Sequence, residues 1–283
     1  MDGRFCLLLI NGGVSLLAAK NPGEDVRGVL RRLVARVARD IDALPERLED
    51  RVHDIRVGMK KFRAVLRLAD HTLKRPGFTK SDKLARRLKD HFGSARDKDV
   101  QTGLLLELLE KSEAHATAAA LGLTDANPAR DPDVASARET CSLLASLVDR
   151  SHLGKLTGSD LAGAWLASYR SSRRAMRACR RDTGDDFLFH EWRKRVKTFL
   201  YQSATVGPPL DAFVPEADRL ASVLGAHHDL AILTEHLAMR LAGSKAERAA
   251  LSKKGRVARR ALVMGRKLFS EKPSAIHGKV GWT

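Results

Sequence analysis

Apolar residues recur at spacings of three and four along most of the chain. Val26, Leu30, Leu33, Val37 and Ile41 show this spacing in one segment. The period matches the turn of an α-helix, whereas the alternation of apolar and polar residues that is typical of β-strands is nearly absent. Aromatic residues make up only 5% of the chain. Runs rich in Val, Ile and Thr, which favour strands, are also rare. The pattern therefore predicts an all-α fold.

Proline, glycine and short polar stretches divide the periodic segments into about ten helices, because these residues stop helices and form turns. The predicted helices span 24–44, 46–73, 79–92, 97–119, 134–150, 160–181, 185–203, 211–225, 229–242 and 246–269.

Two of these helices contain the same basic motif. One reads His53-x-x-Arg56-x-x-x-Lys60, the other reads His190-x-x-Arg193-x-x-x-Lys197, and an acidic residue follows the histidine in both. Such a repeat predicts two related helical halves, which we place at residues 24–150 and 151–283. Residues 1–23 precede them as a segment of uncertain order.

A second shared string lies downstream of each motif. It reads Gly93-x-x-Arg96-Asp97 in the first half and Gly225-x-x-His228-Asp229 in the second. Glycine often ends a helix and aspartate often caps the next one. We therefore expect a helix break at each string, where the aspartate can also orient a basic residue of its own motif.

The first motif continues as a basic stripe along its helix. At 100° per residue, the side chains of the stripe share an arc of about 80°. Its members are His53, Arg56, Lys60, Arg63 and Arg67. The second motif is weaker by one charge, since Leu200 stands in the place of Arg63. A single basic stripe is usually a solvated face, but like charges at this spacing repel each other, so two copies favour a bound anion.

The charge of the whole chain also indicates a polyanionic partner. Lys and Arg number 51 against 34 Asp and Glu, which gives a net charge of +17. Nucleic acid, an anionic membrane surface and inorganic polyphosphate all fit this charge, and the charge alone does not rank them.

The paired motifs resemble those of the CHAD family, the conserved-histidine α-helical domain. The resemblance covers nearly the whole chain from about residue 24. It implies two pseudo-symmetric helical bundles around a central basic groove that binds inorganic polyphosphate. By motif position, it assigns ligand binding to His53, Arg56, Lys60, Arg63, His190, Arg193 and Lys197. To these we add other basic residues expected near the groove, namely Lys61, Arg67, Arg86, Arg96, Arg170, Arg173, Arg174, Arg177, Lys194 and His228.

Several sequence features bear on what the protein does and where. The three cysteines are far apart and odd in number, which favours a reducing compartment. The apolar stretch near the N-terminus is interrupted by Asn11-Gly12-Gly13, and no stretch approaches the roughly 20 apolar residues that span a membrane. We expect a cytoplasmic protein with no membrane partner, associated with polyphosphate granules as the resemblance implies.

We expect a binding protein rather than an enzyme, with no cofactor and no metal. One alternative is a metal-dependent phosphohydrolase that acts on phosphate polymers, although no HExxH or clustered-carboxylate pattern is present. The other is a non-specific nucleic-acid-binding protein. Sparse aromatics leave no stacking platform for single strands, and charge alone would still give weak nucleic-acid binding.

Overall fold

The computed structural model describes residues 15–44, 48–73, 76–92, 97–124 and 133–279. All the regular structure in these residues is helical, which confirms the all-α prediction. The helices are α1 Pro22–Asp42, α2 Leu48–Leu73, α3 Pro76–His91, α4 Asp97–Leu108, α5 Lys111–Ala120, α6 Val134–Asp149, α7 Gly158–Arg181, α8 Asp186–Val206, α9 Val214–Arg240, α10 Lys245–Leu268 and α11 Pro273–Lys279. A 3₁₀ turn at Leu210–Phe213 leads into α9.

The predicted helix break at Gly225 is wrong. Helix α9 runs without interruption from Val214 to Arg240, so Gly225 and Asp229 both lie inside it, and Asp229 caps no helix. A glycine inside a helix costs only about 1 kcal/mol relative to alanine, and burial of one face of α9 outweighs that cost. In the first half, α3 ends at His91 and α4 begins at Asp97, while Gly93 and Arg96 lie outside the described residues.

The helix predicted over 97–119 is two helices. Helix α4 ends at Leu108, and Glu110 has an extended backbone before α5 begins. The break lets Leu105 and Leu109 on one side and Ala114 and Ala118 on the other enter the same small core. The sequence has no proline or glycine at this turn. The turn forms because of tertiary packing, which the local sequence does not reveal.

Eight of the described helices form two rings of four. In the first ring α1 contacts α2, α2 contacts α3, α3 contacts α6, and α6 contacts α1. In the second ring α7, α8, α9 and α10 contact one another in the same cyclic order. Each basic motif lies on the second helix of its ring, α2 or α8. The pseudo-symmetry of the two halves and their boundary at residue 150 stay predictions.

The two rings share a hydrophobic core. Helix α2 packs against α7 and α8, and one continuous cluster of buried residues includes members of both rings. Helices α4 and α5 belong to neither ring. They pack on α9 and α10 around a second, smaller core. The rings therefore meet along α2, the helix with the longer basic stripe.

Buried aromatic side chains and helix caps fix the hairpin of α7 and α8. Trp165 and Tyr169 of α7 pack against Phe199 of α8, and the indole N–H of Trp165 donates a hydrogen bond to Ser203 Oγ at 2.8 Å. The Asp185 side chain accepts hydrogen bonds from the first backbone N–H groups of α8. These contacts therefore hold in place the helix that carries the second basic motif, which starts in the second turn of α8.

Two further observations concern the sequence predictions on compartment. Cys141 and Cys179 are buried free thiols, and Cys6 lies outside the described residues. None of the helices in the described part of the chain is long and apolar enough to cross a lipid bilayer.

Candidate anion-binding site

Helices α2 and α8 are held together in their C-terminal halves. The Gln202 side-chain amide of α8 donates a hydrogen bond to the Ala64 carbonyl of α2 at 3.0 Å. One turn further along α2, a guanidinium nitrogen of Arg67 lies 3.5 Å from Thr198 Oγ1. Lys60 lies one turn before Ala64, and Lys197 lies one turn before Tyr201. The charges of Lys60 and Lys197 act on each other, so the basic parts of both helices lie near each other at this crossing.

Four basic side chains from the two motifs come together there. We call Arg56, Lys60, Arg193 and Lys197 the basic cluster; all four are half-buried. Burial lowers the pKa of Lys60 to about 8, with Arg193 and Arg56 adding to the shift. Burial lowers the pKa of Lys197 to about 7, and the charges of Arg193 and Lys60 act in the same direction. Residues from motifs more than 130 positions apart thus repel each other across one site.

The cluster is only partly neutralised by the protein. In the part of the chain that the structure describes, neither Lys60 nor Lys197 forms an ion pair or a hydrogen bond. Asp229 and Asp218 of α9 raise the pKa of Lys197 against the larger effect of burial. Burial also lowers the pKa of Arg193, and Asp229 opposes that shift. Asp229 therefore acts electrostatically on Arg193 and Lys197 of its own motif and caps no helix, while its predicted role in orienting a basic side chain stays a prediction.

Packing fixes two of the arginines of the cluster. A guanidinium nitrogen of Arg56 donates a hydrogen bond to the Phe92 carbonyl at 2.6 Å, which ties α2 to the end of α3. The Arg193 Nε atom is buried without a hydrogen-bond acceptor in the described residues, and an added Cβ on Gly225 would lie 3.9 Å from it. Lys89 of α3 adds one more positive charge near Lys60.

A histidine pair borders the cluster. The Nδ1 atoms of His190 and His228 lie 3.3 Å apart, so one ring donates an N–H hydrogen bond and the other accepts it. Burial lowers the pKa of His190, and the charges of Lys194 and Arg193 act in the same direction. His228 was predicted to bind the ligand because of the Gly225-x-x-His228-Asp229 string, and the structure places it beside His190 of the second motif.

Three other predicted residues gather around a carboxylate. We call Arg63, Arg67, Arg86 and Asp82 the Asp82 cluster. Arg63 donates two hydrogen bonds to Asp82, at 2.8 and 3.1 Å. Arg67 and Arg86 approach the same carboxylate at 3.8 and 3.5 Å. Burial by itself raises the pKa of Asp82, but the hydrogen bond and the charge of Arg63 outweigh it, and the pKa is lowered.

Sequence reasoning missed the role of Asp82. Its position four residues before Arg86 on α3 is the one available sign, because that spacing favours an ion pair on a helix. No local pattern connects it to Arg63 on another helix.

Lys61 does not lie with Lys60. Its side chain is 4% exposed, and its Nζ atom lies 6.0 Å from the centre of the Tyr201 ring. It lines a cavity of about 80 Å³ between α1 and α2, together with Asp40 and Asp54. Lys61 is therefore a buried residue of the α1–α2 contact, and Tyr201, which it approaches, also acts on the pKa of Arg193.

The remaining predicted residues are at the surface or outside the described part. His53 is exposed on α2, and Lys194 is exposed and pairs with Glu191. Arg173 donates a hydrogen bond to the Phe269 carbonyl at 3.0 Å. Arg170, Arg174 and Arg177 are exposed on α7. Arg96 lies outside the described residues.

Comparison with known proteins now identifies the family. A family model described as the CHAD domain matches residues 28–238. The chain belongs to the CHAD domain family. A solved structure described as the CHAD domain from the plant Ricinus communis has the same fold, with a TM-score of 0.54 and 18% sequence identity. That match covers 95% of this chain and 94% of the plant chain. A search among curated proteins found no match.

Proposed function

We propose that this CHAD protein binds inorganic polyphosphate at the basic cluster and has no catalytic activity of its own. The observation that supports this most is the meeting of Arg56 and Lys60 of α2 with Arg193 and Lys197 of α8. Half-buried cations that repel each other cost free energy, and a bound polyanion would offset that cost. The two motifs contribute jointly, which explains why both occur in one chain.

The chemistry of the side chains fits a chain of phosphoryl groups. Arginine presents a planar fork of donors to phosphate oxygens, and lysine presents a point charge. Polyphosphate has about one negative charge per phosphoryl unit, so binding would release counterions and weaken with salt, by analogy with nucleic acid. The His190–His228 pair at the edge of the cluster would add a donor to a phosphate oxygen.

We further propose that polyphosphate binding brings the protein to polyphosphate granules in the cytoplasm. The Asp82 cluster would lie beside the bound chain on α2, but its arginines already share a carboxylate, so we assign them a smaller part.

A competition titration tests the proposal. Labelled long-chain polyphosphate is bound to the wild type and displaced with unlabelled polyphosphate, orthophosphate or duplex DNA at two salt concentrations. We expect polyphosphate to displace the label at a far lower phosphate concentration than the other two, and an Arg56→Ala/Arg193→Ala variant to lose this preference. Equal displacement by all three ligands in both proteins would show that binding is non-specific and depends only on net charge.

The alternative hypothesis, a metal-dependent phosphohydrolase, can be tested in the same samples. Among the described residues, no group of three or more His, Cys, Asp or Glu side chains is placed to hold a metal ion. Release of orthophosphate from polyphosphate, measured with added Mg²⁺, Mn²⁺ or Zn²⁺, would support that alternative. The absence of catalysis stays a prediction until this is measured.

A further inference from the structure

A second basic surface lies on the second ring, away from the basic cluster. Its first row is formed by exposed arginines of α7, which at 100° per residue lie within an arc of about 60°. The members of this row are Arg170, Arg174, Arg177 and Arg181. With a rise of 1.5 Å per residue, the row is about 16 Å long.

Helix α10 contributes a second row beside the first. Arg259 and Arg266 are exposed and lie seven residues apart, so they share one face of α10. Lys267 approaches Glu216 of α9, and Arg266 lies about 100° round the helix from it, on the flank towards α7. A Cβ added to Gly265, the residue before Arg266, would lie 3.1 Å from Met176 Sδ of α7.

The register of the two helices brings the rows together. Arg173 reaches the Phe269 carbonyl, and Met176 lies beside Gly265, so α7 and α10 run antiparallel. This register places Arg177 near Arg266 and Arg181 near Arg259. We call these six arginines of the two rows the arginine surface.

The arginine surface and the basic cluster lie on different helices. The basic cluster lies between α2 and α8, with Asp229 and Asp218 of α9 acting on it. In the second ring, the pair α7 and α10 is the one opposite the pair α8 and α9, so the arginine surface and the cluster use different helix pairs. Residues 28–238 match the family model, so α10 and its arginines lie beyond that match.

The arginines of this surface are not neutralised by carboxylates. Over the described stretches of the chain, no Asp or Glu lies within 4.0 Å of any of the six. Asp182 and Asp185, at the end of α7, accept hydrogen bonds from backbone N–H groups of the turn into α8. Ordinary protein surfaces mix charges of both signs, so six unpaired arginines on two adjacent helices indicate an anionic partner.

We propose that the arginine surface binds the phosphate backbone of duplex nucleic acid. Two rows on neighbouring helices are separated by roughly 8–10 Å, so a ligand that contacts both rows has to present phosphates at two separated positions. A stiff duplex presents its phosphates in fixed rows and loses little conformational entropy on a rigid surface. Among the described residues, Val263 and Leu251 are exposed on α10 and Phe187 is exposed at the turn from α7 into α8. Three separated side chains are too few for insertion into a membrane, and the aromatic side chains of α7 itself are buried, which leaves no row of rings along the arginines for stacking single strands.

This inference does not depend on polyphosphate binding, and the variants that test it avoid the basic cluster. The test uses the full chain and a labelled 20-base-pair duplex DNA of mixed sequence, with fluorescence anisotropy at several salt concentrations. An Arg181→Gln/Arg259→Gln/Arg266→Gln variant is compared with Arg39→Gln/Arg150→Gln/Arg240→Gln, which removes three exposed arginines elsewhere and gives the same net charge. Thermal unfolding followed by circular dichroism checks that both variants fold.

We expect the first variant to lose about tenfold or more in DNA affinity and to bind with a shallower salt dependence, since each lost phosphate contact lowers the slope by about one. The second variant should bind DNA within about twofold of the wild type, because non-specific charge alone then changes little. Equal losses in both variants, or no loss in either, would overturn the proposal. An equal loss of polyphosphate affinity in the first variant would also overturn it, since the surface would then belong to the polyphosphate site.

Discussion

The basic cluster and the Asp82 cluster both draw basic side chains from the stripe on α2, only one turn apart, yet their electrostatics differ. In the Asp82 cluster, Arg63 holds a two-point hydrogen bond to a carboxylate that two further arginines share. In the basic cluster, Lys60 and Lys197 have no such partner in the described residues and repel each other. A stripe of cations on one helix therefore does not by itself predict ligand binding. The positions of the carboxylates on neighbouring helices are also needed. We expect the unneutralised group to bind the ligand and the neutralised group to hold α2 against α3.

The largest expected effect is the loss of polyphosphate affinity when the basic cluster is neutralised. An Arg193→Gln/Lys197→Gln variant should lose about 100-fold, because each charge-assisted contact is worth about 1.5 kcal/mol or more. The matched Arg67→Gln/Arg86→Gln variant also removes two basic side chains and should lose less than about threefold. Isothermal titration calorimetry measures both. Similar losses of polyphosphate affinity in the two variants would contradict the proposal that the basic cluster, and not the Asp82 cluster, is the main binding group.

Removal of the shared carboxylate should turn the Asp82 cluster into a binding group. We expect Asp82→Asn to lower the free energy of unfolding by about 2 kcal/mol, because the partly buried Arg63 loses its charged partner. The same change should raise polyphosphate affinity several-fold, since three arginines become available. Urea denaturation and a binding titration measure the two effects. A stable variant with unchanged affinity would show that the carboxylate does not restrain these arginines.

The two lysines of the basic cluster should couple binding to proton uptake. With pKa values of about 7 for Lys197 and about 8 for Lys60, the free protein is partly deprotonated near neutral pH. A polyanion favours the charged forms, so affinity should fall as the pH rises from 7 to 9, and about one proton should be taken up at pH 7.5. Calorimetry in buffers of different ionisation enthalpy measures the uptake. Lys197→Arg should remove most of it.

The free protein should respond to pH in the opposite direction. The pKa values of both lysines are lower in the folded state than in the unfolded chain, so the unfolded chain binds more protons between about pH 7 and 10. Their contribution to the free energy of unfolding therefore rises with pH across this window, whereas their contribution to affinity falls. Denaturation at several pH values, with and without Lys60→Gln/Lys197→Gln, separates the two. Parallel trends would contradict the assignment of these lysines to the binding site.

The smallest expected effect concerns the glycine beside Arg193. A Cβ on Gly225 would lie 3.9 Å from Arg193 Nε, an ordinary contact, so Gly225→Ala should stabilise α9 by about 0.5–1 kcal/mol and leave affinity within twofold. Gly265→Ala is the contrasting change, because its Cβ would lie 2.5 Å from the Trp192 ring, and it should destabilise the protein. Thermal unfolding measures both. A tenfold loss of affinity in Gly225→Ala would show that Arg193 needs more space than the structure gives it.

Much of the fold could be predicted from the sequence, since helical periodicity is a local property. The boundaries of α2, α6 and α10 agree with the predicted ones to within two residues at each end. The predictions failed where tertiary contacts outweighed local residue preferences. Gly225 lies inside α9 because burial of that helix is worth more than the cost of one glycine, and the turn between α4 and α5 forms because two apolar faces share one core.

The sequence by itself determined which residues are basic, their spacing on two helices, and the excess of positive charge that requires an anion. Only the tertiary structure decided which of those charges act together. It brought Lys60 near Lys197 at the α2–α8 crossing and gave Arg63, Arg67 and Arg86 a shared carboxylate. It also buried Lys61 beside Tyr201 and placed the helix of the α7 arginines against α10. The physical reason is that helical periodicity depends on neighbours within one turn, whereas the effective charge of a side chain depends on burial and on carboxylates brought close by other helices.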